Sequence, residues 1–355
     1  MPSSNQPQLL TQNDSVFQIP GVSISPEQME PIGHGGFGNV YKAKYQESPS
    51  SEPVDIAIKK INVKHIEQEH VRVNRLKYLH RELNILRLLE IHGEQDLHGS
   101  EMDNEVDENK TVLIKKLIMK LHAAFVVHFE RQHNQQPCFT LYQLIEYFPS
   151  DLARMRSEIQ HKFAPEDIRY VMYQVLLGLN YIHSLGIVHR DISPDNIFID
   201  WNADKAKRRV VISDFGQARF FKEYHCDPEI YALQQNVGEL TSPKVLGKIN
   251  FRPPEGLAYF QSDYYDQSWD IWQTGLVFLN MICMNRHPFA TEAHDYDHLM
   301  RNPRAGDEGR LKPDEYWTCV ISHLAVFFTE NSNFYIILRV HVSVNRATFW
   351  LSNRS

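Results

Sequence analysis

The stretch His189-Arg190-Asp191-Ile192-Ser193-Pro194-Asp195-Asn196 reads H-R-D-x-x-x-x-N, with a carboxylate and an amide at fixed spacing. That spacing suits phosphoryl transfer: Asp191 orients an acceptor hydroxyl and takes its proton, while Asn196 holds a magnesium ion. Downstream, Ser213-Asp214-Phe215-Gly216 follows the apolar run Val210-Val211-Ile212. A short strand there delivers Asp214 as the second metal ligand. Oxygen donors from one Asp and one Asn suit a hard cation that keeps several of its waters.

Two upstream features can complete such a site. The run Ile32-Gly33-His34-Gly35-Gly36-Phe37-Gly38-Asn39-Val40 contains G-x-G-x-x-G-x-V, in which missing side chains let a hairpin backbone approach nucleotide phosphates. A dinucleotide-binding turn needs a helix immediately afterwards, whereas Val40-Tyr41-Lys42-Ala43 continues as strand. Ile56-Ala57-Ile58-Lys59 then places Lys59 on a strand where it can face the α and β phosphates, and Lys60 points to the other side. Glu82, in Arg81-Glu82-Leu83, is the candidate to pair with Lys59 and fix its ammonium. Taken singly, each of these charges reads as an ordinary surface residue; their order favours function.

The elements that must carry these residues are legible in outline. Residues 1–25 are rich in Ser, Gln, Asn and Pro without strand or helix periodicity and read as a mobile leader. Strands are predicted around Val40–Ala43, Asp55–Lys59 and Phe139–Tyr147. Leucines at three- and four-residue intervals predict a helix over Arg75–Glu90, and apolar periodicity predicts another over Ala164–Ser184. Trp269–Asn285 is apolar nearly all round and predicts a buried helix. The acidic, polar residues from 91 to about 112 read as a surface insertion, more simply a solvated loop than a docking site. The chain has 355 residues, 42% of them hydrophobic and 23% charged, enough for two lobes of globular composition. A net charge of −7 disfavours general nucleic-acid binding. Four scattered cysteines suggest neither a zinc site nor a disulfide framework. No secretory signal is read at the N-terminus, and neither C-terminal apolar run reaches the length of a membrane span. The expected location is intracellular, in cytoplasm, nucleus or both.

Glycine loop, strand lysine, helix glutamate, catalytic loop and D-F-G in this order resemble the eukaryotic protein kinases over roughly residues 26–290. The resemblance implies an α+β, two-lobed kinase fold with ATP between a small sheet-rich lobe (26–148) and a larger helical lobe (149–300), followed by a divergent region at 301–355. It implies Ile145 as gatekeeper, Glu146 and Phe148 as hinge residues for adenine, Asp151 near the ribose, and Ala57 and Phe198 beside the nucleotide. Asp270-Ile271-Trp272-Gln273-Thr274-Gly275 resembles the helix start that braces the catalytic loop, and Pro254-Glu255 the end of the activation segment. Arg81-Glu82-Leu83, the hinge through Leu152 and Phe251-Arg252-Pro253-Pro254-Glu255 are similar to the cyclin-dependent and mitogen-activated group, with nemo-like kinases nearest. That implies protein Ser/Thr substrates, with proline after the acceptor, and an activating protein or upstream kinase. Arg190 is placed to receive an activation-segment phosphate, for which Thr241 and Ser242 are the best candidates beside Tyr224 and Tyr231.

Two positions depart from the family pattern together. Ser193 stands where Ser/Thr kinases carry a lysine that steadies the moving phosphoryl group, and Lys248 stands where they carry the threonine packed beside that lysine. The expectation is an exchange: Lys248 reaches the phosphate and Ser193 supplies the hydroxyl that orients Asp191. The rival reading is a degenerate kinase that acts as a nucleotide-binding or partner-binding scaffold. After His287-Pro288-Phe289 the family's further helices cannot be traced, and Arg346-Ala347-Thr348 only faintly resembles its closing motif.

Overall fold

A computed structural model describes residues 17–19, 22–24, 29–35, 38–46, 50–63, 79–90, 116–129, 138–157, 163–202, 204, 207–220, 248–253 and 267–282. They fall into two compact units, one from residues of 1–105 and 119–149, the other from residues of 106–118 and 150–355. The lobe boundary read from the sequence assigned residues 106–118 to the first lobe; their described part, 116–118, belongs with the second unit. Ile212 donates its backbone N–H to Leu117 at 2.9 Å, and Ile118 forms a parallel bridge to Ile212.

The first unit is a five-stranded antiparallel sheet in the order β3-β4-β5-β7-β6, built from β3 (Glu30–Gly35), β4 (Gly38–Tyr45), β5 (Val54–Val63), β6 (Leu121–Phe129) and β7 (Cys138–Glu146). Alternation decides which side chains go where. Ile56 and Ile58 on β5 join Tyr142 and Leu144 on β7 in one apolar cluster, while Ile61 and Leu141, on the opposite face, pack with Leu79. Leu79 opens the described part of helix α1 (79–90), which buries Ile85, Leu86 and Leu89 along one stripe. Strand β6 lacks a separate prediction in the sequence. The leader holds a further difference: Phe17–Ile19 (β1) and Val22–Ile24 (β2), two triplets that each read apolar, polar, apolar, pair as an antiparallel hairpin where a mobile leader was expected.

The second unit is carried by two long helices and short strands. Helix α3 (Pro165–Ser184) follows α2 (Leu152–Ser157) and starts with Pro165 at its first turn beside Glu166 and Asp167, where a missing N–H costs nothing and negative charge meets the helix dipole. Helix α4 (Gln267–Ile282) buries Trp269, Trp272, Leu276 and Phe278, bearing out the burial expected of an all-round apolar helix. The short strand β8 (Ser150–Asp151) precedes α2, and β9 (Ile187–Val188), β10 (Ile197–Asp200), β11 (Arg209–Ile212) and β12 (Arg219–Phe220) lie between the two long helices. Strands β10 and β11 form an antiparallel pair that flanks the catalytic-loop stretch at its C-terminal end.

The acidic insertion at 91–112, Gly36 and Phe37, the residues Tyr224, Tyr231, Thr241 and Ser242, Pro254-Glu255, His287-Pro288-Phe289 and the whole of 301–355 lie outside the described residues.

Candidate functional site

In the first unit, the glycine-rich run is a tight hairpin. Gly33 pairs with Val40, His34 with Asn39 and Gly35 with Gly38, and a register shift between Pro31 and Gly33 makes Ile32 the bulged residue. The glycines do different work. A Cβ on Gly38 would lie 2.0 Å from the Lys60 carbonyl oxygen, so close strand packing itself demands glycine there. A Cβ on Gly33 would meet nothing within 4 Å. That openness leaves room for a ligand to approach the backbone.

Val40 faces Lys59 in the β4–β5 register, and Lys59 faces Gln143 across to β7. The Lys59 ammonium lies 3.2 Å from Glu82 Oε1 on α1, and Gln143 Nε2 donates to Glu82 Oε2 at 3.2 Å. Both carboxylate oxygens of Glu82 are therefore occupied, and the pair is largely shielded, with side chains 17% and 8% exposed. One residue on, Lys60 lies on the other face over the Tyr142 ring, as strand alternation requires. Ala57 is buried and pairs with Ile145. Glu146 donates its amide N–H to the Lys120 carbonyl at 3.0 Å, so that donor is spent inside the protein. Phe148 is buried.

In the second unit, α4 clamps the catalytic loop. Asp270 is fully buried; its Oδ2 accepts from the His189 amide at 2.8 Å and its Oδ1 from the Arg190 amide at 2.7 Å. His183 Nε2 also lies 2.8 Å from Oδ2. The Arg190 carbonyl accepts from Trp269 Nε1 and Gln273 Nε2, and Gln273 Oε1 accepts from the Ile192 amide at 2.9 Å. These bonds hold Arg190 at φ 66°, a left-handed conformation that costs a residue with a long side chain about 1–2 kcal/mol. His189 Nδ1 accepts from the Asp191 amide at 3.3 Å, so its Nε2–H donates to the Ser213 carbonyl at 3.0 Å and ties the catalytic loop to the segment preceding Asp214.

Asp191 is held at both oxygens. Asn196 Nδ2 donates to Asp191 Oδ2 at 3.0 Å and to its carbonyl at 2.8 Å, while the Lys248 amide donates to Oδ1 at 3.2 Å. With Nδ2 committed, Asn196 turns its Oδ1 into the atom able to ligate a cation. The Ser213 amide donates to the Asn196 carbonyl at 2.9 Å, bringing the residue before Asp214 against the loop. Asp214 adopts φ 62°, which Asp tolerates better than most residues, and Oδ1 takes only a long 3.4 Å bond from Gly216. Burial pushes the Asp191 carboxyl above its ordinary value and Asp214 adds to the rise, while the positive charge and the backbone N–H of Lys248 pull the other way. Burial pushes the Lys248 ammonium down against the opposing pull of Asp191 and Asp151.

One expected contact comes out differently. Ser193 does not orient Asp191: its Oγ, fully buried, accepts from Lys248 Nζ at 3.0 Å, and the Lys248 backbone and Asn196 hold Asp191 instead. Asp151 caps α2, accepting from the Arg154 amide at 2.8 Å, and its backbone pairs with Phe198 on β10. Arg190 directs Nε to the Gln217 carbonyl at 2.9 Å. The sequence reading passed over Gln143, His183 and Asp195. Gln143 was detectable as a polar residue inside an apolar strand, and Asp195 as a carboxylate inside the catalytic stretch.

Residues 98–317, more than half of the chain, match the protein kinase domain. The chain belongs to the protein kinase family. The glycine hairpin, Lys59 and Glu82 precede that match. It is 29% identical over 271 residues to mitogen-activated protein kinase HOG1B of Wallemia ichthyophaga, covering 76% of this chain and 54% of that one. It is 26% identical over 290 residues to mitogen-activated protein kinase 5 of Arabidopsis thaliana, covering 81% and 59%. With a probable serine/threonine-protein kinase of Arabidopsis thaliana it shares 28% over 263 residues, covering 74% and 28%. The chain thus spans between about a quarter and three fifths of the length of these relatives. Mitogen-activated kinases among them agree with the group expected from the motifs. No helix among the described residues is long and apolar enough to cross a membrane.

Proposed function

We propose that the protein transfers the γ-phosphate of ATP to Ser and Thr hydroxyls of protein substrates. The observation that carries this reading is the Asp191 carboxylate, fixed at both oxygens by Asn196 and the Lys248 amide, on a loop clamped at His189, Arg190 and Ile192 by α4. A base held this way pays no reorganisation cost when it meets the acceptor hydroxyl. Its raised pKa favours taking up a proton. The hydroxyl proton passes to Asp191 as the acceptor oxygen bonds the γ-phosphorus, and the bond to the β,γ-bridging oxygen breaks to release ADP.

Asn196 Oδ1 and the Asp214 carboxylate form a hard-oxygen donor set that fits magnesium, and would hold it with waters and phosphate oxygens completing the shell. The metal supplies charge neutralisation on the phosphates when bound. Lys59, its ammonium fixed by Glu82, is oriented to bind phosphate. Preference for proline after the acceptor, a place nearest the nemo-like kinases and activation by an upstream kinase rest on the motif stretches named above, with the mitogen-activated relatives supporting the broader group. An intracellular location belongs to the same proposal.

Labelled phosphate transfer to Ser, Thr and Tyr peptides, with and without proline after the acceptor, tests the reading. Asp191→Asn is expected to lower transfer to Ser and Thr peptides by at least about a hundredfold. Equal transfer by both proteins, or nucleotide binding with no Asp191-dependent transfer, favours the scaffold reading instead.

A further inference from the structure

Lys248 engages the catalytic loop twice. Its backbone N–H donates to Asp191 Oδ1 at 3.2 Å, and its ammonium donates to Ser193 Oγ at 3.0 Å and pairs with Asp195 Oδ2. A stabilising role explains this poorly. The Lys248 and Asp195 side chains are 41% and 45% exposed, and an ion pair so exposed contributes little to folding. Ser193, by contrast, is fully buried, and its hydroxyl is aimed at the incoming ammonium.

Resting on the kinase reading, we propose that Lys248 supplies the phosphate-binding cation of this site from the chain segment after D-F-G, with Ser193 and Asp195 as the positioning residues that hold its ammonium beside Asp191. One residue then couples two requirements. When the Lys248 amide docks on Asp191, the ammonium arrives with it. A lysine at position 193 would be present on the loop whatever the segment did; a lysine at 248 is present only when the segment end is seated. Charge stabilisation of the transferred group therefore depends on Lys248 being seated on the catalytic loop. The ammonium moves from Asp195 and Ser193 to a γ-phosphate oxygen, remaining protonated throughout, so it acts by charge and hydrogen bonding and donates no proton.

The test uses the full chain and two readouts. In steady-state phosphotransfer, Lys248→Ala is expected to lower kcat about a hundred- to a thousandfold, the usual loss for one preorganised charge-stabilising group. The double variant Ser193→Lys/Lys248→Thr is expected to recover at least tenfold over Lys248→Thr alone. Asp195→Asn should lower kcat in the wild-type background and leave it unchanged in the Lys248→Ala background, a coupling that a merely structural aspartate does not produce. In direct binding by calorimetry, wild type should prefer ATP to ADP by several-fold more than Lys248→Ala does. A Lys248→Ala kcat within threefold of wild type, or a double variant no better than its single parent, overturns the proposal. If no Asp191-dependent transfer occurs in any variant, the kinase reading falls, and the ATP-to-ADP preference decides alone: dependence on Lys248 sustains the cation assignment, and independence overturns it.

Discussion

Replacing Asp270 by Asn should unseat the catalytic loop although it changes one atom. Three donors converge on this buried carboxylate: the Arg190 amide on Oδ1, and the His189 amide with His183 Nε2 on Oδ2. An asparagine offers one acceptor oxygen. If that oxygen faces His189 and His183, the new NH2 group confronts the Arg190 N–H; flipped, it confronts the other two donors. Either way a charge-assisted hydrogen bond of about 1.5–3 kcal/mol is lost and a buried donor is left unsatisfied at about 1–3 kcal/mol. The sum, about 2.5–6 kcal/mol, is a large part of the roughly 5–15 kcal/mol that stabilises a typical domain. It also exceeds the strain stored at Arg190, φ 66°, so relaxation of that residue towards negative φ becomes favourable once the clamp opens. Urea denaturation should show a lower midpoint, and hydrogen exchange at the His189 and Arg190 amides should accelerate. Phosphotransfer should fall with them, because Asp191 follows Arg190 in the chain. An Asp270→Asn protein within 1 kcal/mol of wild type, with unchanged exchange at both amides, would refute the idea that this carboxylate holds the loop.

Two further outcomes separate packing from ligand binding and test the sheet. Gly38→Ala must displace the Lys60 carbonyl and should cost about 1–3 kcal/mol of stability by denaturant titration, whereas Gly33→Ala, with open space around its Cβ, should stay within about 0.5 kcal/mol and affect nucleotide binding alone. Burial pushes the Tyr142 hydroxyl up to about 12, so below pH 10 it is neutral in both folded and unfolded chains. Between pH 10 and 12 the unfolded chain ionises first and the folded state loses up to about 2–3 kcal/mol; Tyr142→Phe should lose less over that window in pH-dependent denaturation, and parallel curves would contradict the burial argument.

Much of the site could be read from spacing because its chemistry is written in short stretches. His189 to Asn196, the D-F-G run and the alternation around Lys59 each place their functional groups locally, by loop length or strand period. Alternation alone separated Lys59 from Lys60, and leucine spacing alone turned Glu82 onto a helix. The α+β, two-lobed class was what the resemblance to the protein kinases implied. Strand β6 and the β1–β2 hairpin went unread in the sequence; the β1 and β2 triplets alternate but are too short to stand out, and pairing identified them, β6 antiparallel beside β7 and β1 with β2.

What spacing could not supply is the partner of a side chain distant in sequence. Gln143 meets Glu82 because two neighbouring strands and a helix bring them together, and Asp270 meets His189 and Arg190 across some eighty residues of chain. The sequence by itself determined that the protein carries the kinase residues in order, and that a serine stands where the family has a lysine while a lysine stands where it has a threonine. Only the tertiary structure decided where the two groups go: the Lys248 amide donates to Asp191 Oδ1, and the Lys248 ammonium donates to the Ser193 hydroxyl. The reason is physical, since a one-dimensional pattern records which groups are present, whereas the direction of a hydrogen bond depends on how separate segments are packed.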